Sequence, residues 1–242
     1  VPRGDERVIQ LLTARLADAP AWAELRCIAV WVLAEVAPLG DAAVLGTIRS
    51  LLSDKRAALR KAAVQATSKL SGKGDEESIK AVCTCLQDAD RSVSLAAVRA
   101  LACMTEIGDE RTIEAALALL LDEDHAERLR AVRLLTQVSK KGDERVIKKL
   151  CSFFEDKRYS VRLLATDALP QLVLQGDERA VALMRDLLKH EETYVRLSVV
   201  KALPRVAEEV SQDVLTALHD LSAADASEPV RLACGSALAR LR

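Results

Sequence analysis

The dipeptide Gly-Asp stands at residues 4, 40, 74, 108, 142 and 176, at intervals of 36, 34, 34, 34 and 34. Repetition at this length demands a fold made from one small unit used many times, because such a unit cannot bury its apolar face alone and must stack on its neighbours. Six of the nine glycines fall in this register. Continuing it by 34 reaches Val210, where VSQDVLTAL keeps the apolar pattern of GDERAVALM but loses its glycine and first acid. The period predicts seven units in a single array over 1–242, near 4–39, 40–73, 74–107, 108–141, 142–175, 176–209 and 210–242. The first unit carries a two-residue insertion around Ala19-Pro20 and the last a single insertion around Ala226.

With each register glycine as offset 0, apolar residues recur at offsets 5, 8, 11 and 12, as in Leu45, Ile48, Leu51, Leu52 and in Ile147, Leu150, Phe153, Phe154. That spacing is one face of a helix. An acid at offset 14 (Asp54, Asp88, Asp122, Asp156) begins a polar turn. A second stripe follows at offsets 19, 23, 26, 27 and 30, as in Val93, Ala97, Ala100, Leu101, Met104 and in Val161, Ala165, Ala168, Leu169, Leu172. Each unit therefore reads as a helical hairpin. Gly-Asp reads as its punctuation: glycine takes the left-handed conformation that ends a helix, aspartate caps the next one, and a following glutamate favours the helix dipole.

Composition agrees with an all-α chain. Half of the residues are apolar but only 2% are aromatic, which suits helices packed closely on small side chains better than a sheet. The 35 basic and 36 acidic residues nearly cancel, which argues against a nucleic-acid binder, although a local basic patch is compatible with that balance. The sequence has no run of eighteen apolar residues and no signal-peptide pattern, so a soluble protein without membrane partners is expected. Six scattered cysteines (27, 83, 85, 103, 151, 234) point to a reducing, intracellular, cytoplasmic setting. Cys83 and Cys85 resemble a chelating pair, but residues two apart on a helix point about 200° away from each other, so small core or surface residues are the expected role.

The unit GDERVIKKLCSFFEDKRYSVRLLATDALPQL resembles HEAT repeats, most closely the HEAT-like class of phycobilisome lyases, through Gly142, Asp143, Phe154, Asp156, Val161, Arg162, Ala168 and Leu169. The resemblance covers essentially the whole chain. It implies a right-handed α-solenoid with the second helices lining a concave side, and it is unspecific for function, since such arrays serve as scaffolds, adaptors, lyases and a few metalloenzymes. It also implies a structural ladder in which the offset-20 arginines pair with aspartates of neighbouring units. Arg60, Arg128, Arg162 and Arg196, with Arg26 and Arg231 after the insertions, would meet acids such as Asp54, Asp122 and Asp156; only Ser94 departs. A row of arginines that binds anions is the sharper alternative, but acids and arginines repeating in step favour the ladder.

Catalytic equipment is not visible. HEAT-like metal hydroxylases repeat His-Glu pairs in equivalent units, whereas this chain has one, His190-Glu191, and His125 and His219 fall at other offsets. Aromatic side chains that a HEAT-like DNA glycosylase would need are few: Trp22, Trp31, Tyr159 and Tyr194, with Phe153 and Phe154 in the core pattern. No nucleophile triad and no phosphate-cradling loop can be placed. The expectation is no catalytic residue, no metal and no cofactor.

On the implied inner face, offset 21 reads Leu95, Leu129, Leu163, Leu197 and Leu232 where polar residues are expected. Offset 24 reads Val30, Val64, Val98, Val132, Thr166, Val200 and Gly235, and offset 25 adds Arg99, Arg133 and Lys201 beside Trp31, Gln65, Asp167 and Ser236. Two readings stay open: an apolar strip rimmed by charge that receives a partner, or two rows buried between tightly packed second helices. Pro170 and Pro204, at offset 28, free the carbonyls of Thr166 and Val200 on this face or simply kink a helix end. The chain opens at the close of a unit without a methionine and ends with Leu215, Leu218 and Leu221 uncapped, so a piece of a longer array, or ends that pair with another copy, is expected. The candidate function is a protein-binding scaffold that holds another protein or peptide through Leu95, Val98, Arg99, Leu129, Val132, Arg133, Leu163, Leu197, Val200 and Lys201. The alternatives are a bilin lyase subunit or other chromophore-handling enzyme, and an architectural spacer.

Overall fold

The computed structural model describes residues 3–17, 23–174, 176–207 and 210–241. Among them run fourteen helices and no strand. They pair in chain order as α1 (Glu6–Ala17) with α2 (Ala23–Val36), α3 (Ala42–Ser50) with α4 (Ala57–Leu70), α5 (Glu76–Cys83) with α6 (Arg91–Met104), and α7 (Glu110–Leu119) with α8 (His125–Val138). The series continues with α9 (Glu144–Ser152) and α10 (Tyr159–Leu172), α11 (Glu178–Leu187) and α12 (Thr193–Val206), and α13 (Gln212–Ala224) and α14 (Glu228–Leu238). The chain divides into two compact units, residues 1–138 with four hairpins and residues 139–242 with three. In the first, α2, α4, α6 and α8 pack in succession and so do α1, α3, α5 and α7; in the second, α10, α12 and α14 pack in succession and α9 lies on α11. Each unit is a length of α-solenoid. The Ala19-Pro20 insertion and Trp22 lie outside the described residues.

The Gly-Asp register sets the hairpin boundaries. All six glycines have positive φ, between 72° and 95°, and the aspartate that follows caps the next helix. Asp41 Oδ1 accepts hydrogen bonds from the amides of Ala43 and Val44, both at 3.0 Å, and Asp109, Asp143 and Asp177 cap in the same way. Asp75 keeps the cap backbone without the side-chain bond and lies 3.8 Å from Arg49 instead. The glycine amides carry a second task. Gly40 donates to the Leu70 carbonyl at 2.8 Å, Gly74 to Met104 at 2.8 Å, Gly108 to Val138 at 2.7 Å and Gly142 to Leu172 at 2.8 Å. Each bond ties the connector that enters a hairpin to the last turn of that hairpin's second helix, so orphan groups of two helix ends satisfy each other.

Both apolar stripes are buried. Leu45, Ile48, Leu51 and Leu52 on one first helix and Val93, Ala97, Ala100, Leu101 and Met104 on one second helix all lie in the core. Complete burial of a side chain such as Leu101 or Leu169 contributes about 1.5–3 kcal/mol, and the alanines between them let neighbouring second helices approach. Three first helices tighten at their ends into 3₁₀ turns, at Leu51–Ser53, Thr84–Gln87 and Phe153–Glu155, which deliver the chain to the acid at offset 14.

Two glycine substitutions separate register from composition. A Cβ on Gly142, at φ +83°, would sit 3.2 Å from Leu174 Cδ1, whereas one on Gly46, inside α3, would meet nothing within 4 Å. Gly142→Ala is expected to destabilise the protein by roughly 1–2 kcal/mol, and Gly46→Ala to stabilise it by roughly 0.5–1 kcal/mol. Urea unfolding midpoints of the two variants should move in opposite directions.

Candidate functional site

The offset-20 arginines are withdrawn from solvent at the hairpin turns: Arg26, Arg128 and Arg162 are buried, and Arg60, Arg196 and Arg231 half-buried. Two kinds of bonding recur among them, and Arg60 and Arg196 make both. Nη1 reaches back to its own turn: Arg60 donates to the carbonyls of Asp54 (2.8 Å) and Lys55 (3.2 Å), Arg128 to Asp122 (2.7 Å) and Glu123 (2.8 Å), Arg162 to Asp156 (2.8 Å) and Lys157 (2.9 Å). Arg196 does the same to His190 and Glu191, both at 2.8 Å. In Arg26, Arg60 and Arg196 the guanidinium also meets an acid of the following hairpin. Arg26 meets Asp54 at 3.0 Å, Arg60 holds Asp88 through Nε and Nη2 at 2.6 and 2.7 Å, and Arg196 holds Asp225 at 2.7 and 3.0 Å. These carboxylates also cap their own turns: Asp88 accepts from the amide of Asp90, Asp225 from Ser227, and the ladder acids Asp122 and Asp156 from Asp124 and Arg158.

Two rungs depart from this pattern, and each is replaced. Ser94 stands where an arginine is expected; Arg130 of α8 reaches back to its hydroxyl at 2.6 Å and pairs with Glu127, whose carboxylate accepts from Ser94 Oγ at 3.2 Å. His190 stands where an acid is expected, and its Nδ1 accepts the Glu192 amide at 3.0 Å, so it caps the turn as aspartate does elsewhere. Arg162, without that carboxylate, lies with its guanidinium carbon 4.4 Å from the centre of the Tyr194 ring, a cation–π contact in place of an ion pair.

Opposite the core stripe, the second helices expose one row rather than two. Val98 and Val132 are 7% exposed and Val200 is fully buried, as are Val30 and Val64. The expectation that these valines form contact surface is corrected by geometry: offset 24 lies one turn from offset 20, on the stripe that faces the neighbouring hairpin. Offset 21 differs. Leu129 is 38% exposed, Leu163 42% and Leu232 67%, while Leu95 and Leu197 are half-buried. In residues 1–138 this row is bordered by Lys61, Arg99 and Arg133, none of which makes an ion pair among the described residues. In residues 139–242 the exposed Lys201 stands at offset 25, as Arg99 and Arg133 do, but Asp167 at that offset is paired with Arg205 at 2.7 Å.

A model described as HEAT repeats matches residues 9–102, 79–170 and 147–239. The chain belongs to the HEAT-repeat family. Among solved structures, YibA of Escherichia coli is similar over 98% of this chain and 83% of its own, with 20% identity and a TM-score of 0.54. The complex of CpcE and CpcF of phycocyanin lyase from Nostoc sp. PCC7120 matches with 20% identity over 97% of this chain and 94% of that one, at a TM-score of 0.48. Human deoxyhypusine hydroxylase in complex with glycerol matches with 19% identity over 97% and 96%, at 0.42. No curated protein matches the sequence. At these identities the likeness to YibA shows a shared fold alone.

The HEAT core also accounts for the titratable groups that chemistry might have used. Burial pushes the Cys83 and Cys234 thiols up to about 11 and Cys151 to about 12, which leaves them protonated at neutral pH. Cys83 closes α5 and Cys85 lies in the 3₁₀ turn after it. Among the described residues no three His, Cys, Asp or Glu side chains gather as a metal site, and no helix is long and apolar enough to cross a membrane.

The ladder gives the HEAT array an acid limb. Hydrogen bonds from Arg60 and Arg196 hold Asp88 and Asp225 below the usual carboxylate range. A depressed folded-state value contributes stability that is present above the unfolded value of about 4 and lost as pH falls through the folded one. Asp88→Asn is expected to cost about 1–3 kcal/mol at pH 7 and to flatten the fall in melting temperature below about pH 4. His190→Asp would return the missing carboxylate to Arg162 while keeping the turn cap. It should raise stability at pH 7 by about 1 kcal/mol, and an unchanged or lower denaturation midpoint would show that the Tyr194 contact already replaces the rung in full.

Proposed function

We propose that this HEAT-repeat chain is a non-catalytic scaffold that holds another protein or peptide against the exposed faces of its second helices. The observation that carries this reading is the row on α4, α6 and α8. There Leu129 is exposed and Leu95 half-buried between the cations Lys61, Arg99 and Arg133, which make no ion pair among the described residues. Apolar side chains bordered by charge are the composition of a partner surface. Leu163, Leu197 and Lys201 supply the corresponding face in residues 139–242. The buried valines at 98, 132 and 200 set the spacing of the helices behind these faces and take no part in contact. A reducing compartment, the cytoplasm in the first place, suits six cysteines that all stand free.

Site-specific photo-cross-linking tests the reading. Cross-linkers at Gln65 and Thr136 lie on the proposed face and one at Glu114, on α7, lies off it. In extracts of the source cells the first two should give protein adducts that Leu95→Asp with Leu129→Asp removes, and the third should not. A spacer would give adducts indifferent to the double variant, or none.

A further inference from the structure

The face on α4, α6 and α8 is selective for charge. α4 carries Arg60, Lys61 and Lys69, α6 carries Arg91 and Arg99, and neither helix contains an acid. Several of these cations are already engaged: Arg60 with Asp88, Lys69 with Glu35, and Arg91 with Asp124 at 3.8 Å. The one acid of α8, Glu127, is held by Arg130. What remains for a ligand is Lys61, Arg99 and Arg133, one cation per helix, with Leu95 and Leu129 between them. Lys61, Gln65, Ser68, Leu95 and Arg99 line a groove of about 260 Å³ between α4 and α6. Its floor is apolar and its walls are cations and neutral donors.

We infer that this groove and the adjoining α8 face bind an extended acidic peptide segment with a carboxylate at every third residue and an aliphatic side chain between carboxylates. The inference rests on the scaffold reading and adds the chemistry of the ligand. Packed helices lie about 8–10 Å apart, and a polyproline II strand repeats its face every three residues, about 9 Å. A strand laid across α4, α6 and α8 therefore brings one carboxylate to each helix in turn, towards Lys61, Arg99 and Arg133. The intervening aliphatic group drops onto Leu95, while Gln65 and Ser68 stand on the wall where they can donate to strand carbonyls. The exposed indole of Trp31, at the equivalent offset on α2, offers one ring where such a strand enters. A single-stranded nucleic acid would call for an aromatic platform for successive bases, and this row presents leucines instead.

Fluorescence anisotropy on the full chain tests this with a labelled peptide of about nine residues repeating Glu-Pro-Leu, against the same composition with its glutamates adjacent. The spaced peptide should bind, the clustered one should bind at least about tenfold more weakly, and rising salt should weaken both. Lys61→Glu with Arg99→Glu and Arg133→Glu should lower affinity at least about tenfold, and the glutamine triple variant, which perturbs the fold less, should lower it in the same direction. Lys80→Glu, an exposed cation on α5 and off this face, should leave it unchanged. Absence of binding, equal affinity for both peptides, or equal or tighter binding of a labelled single-stranded DNA oligomer would overturn the inference. If peptide binding fails while the Gln65 and Thr136 adducts persist, the ligand chemistry is wrong and the scaffold reading stands; if the adducts also fail, both fall.

Discussion

Within each compact unit, arginines at the hairpin turns reach the acid of the next hairpin, Arg26 to Asp54, Arg60 to Asp88 and Arg196 to Asp225, and the stacking there depends on that join. Arg60 shows the arrangement in full: one nitrogen is shared by two carbonyls of its own turn while two others grip Asp88 of the next hairpin. Bidentate geometry fixes angle as well as distance, so the pair sets how one hairpin lies on the next. The glycine amide bond at the far end of the second helix supplies a second fixed point. Two directional bonds at opposite ends of a helix define an orientation that apolar contact, which is non-directional, leaves loose.

The departures from the ladder show which of its features the fold requires. Where Ser94 removes the arginine, Arg130 and Glu127 rebuild a polar contact across the same junction from the opposite side. Where His190 removes the acid, the turn cap is kept by an imidazole nitrogen and the guanidinium is kept in place by a ring. Capping of the turn and occupation of the junction are preserved in both, while the formal ion pair is not. That ranking follows from energetics, because an uncapped turn and an unpartnered buried guanidinium each cost more than the net gain of a pair already drawn out of water.

Much of this was legible in the sequence because the period fixes it. The glycine spacing marks the six positive-φ turns that precede helices, and in the units that open at Gly40, Gly74, Gly108 and Gly142 the apolar residues at offsets 5, 8, 11, 12 and 19, 23, 26, 27, 30 are buried. The face was only half legible. Val98, Val132 and Val200 were grouped with the leucines because a helical wheel places offsets 21 and 24 as neighbours. Their burial depends on where the next helix stands, which spacing within one helix does not encode. The Gly amide bonds were missed for the same reason, since their acceptors lie some thirty residues away at the other end of the hairpin. A signal for the valines was present in the arginines four residues earlier: once offset 20 is assigned to the junction with the next hairpin, offset 24 goes with it.

Assigning charges to structure also explains how a chain with a formal net charge of −1 can present a cationic face. Acids are concentrated in caps and turns, where aspartate at offsets 1 and 14 satisfies amides, and the ladder arginines are consumed by those same turns. A second helix has no such obligation towards its outer residues. Whatever stands at offsets 21 and 25 is therefore free of the fold, and its sign need not reflect that of the whole chain. Residues 139–242 illustrate the contrast, because Asp167 occupies offset 25 and Arg205 neutralises it. The same backbone plan carries unpaired Arg99 and Arg133 in one unit and, in the other, an Asp167–Arg205 pair beside Lys201. Specificity in such an array thus resides in the few outer positions that stacking leaves unconstrained, and the cations without partners are the ones available to a ligand.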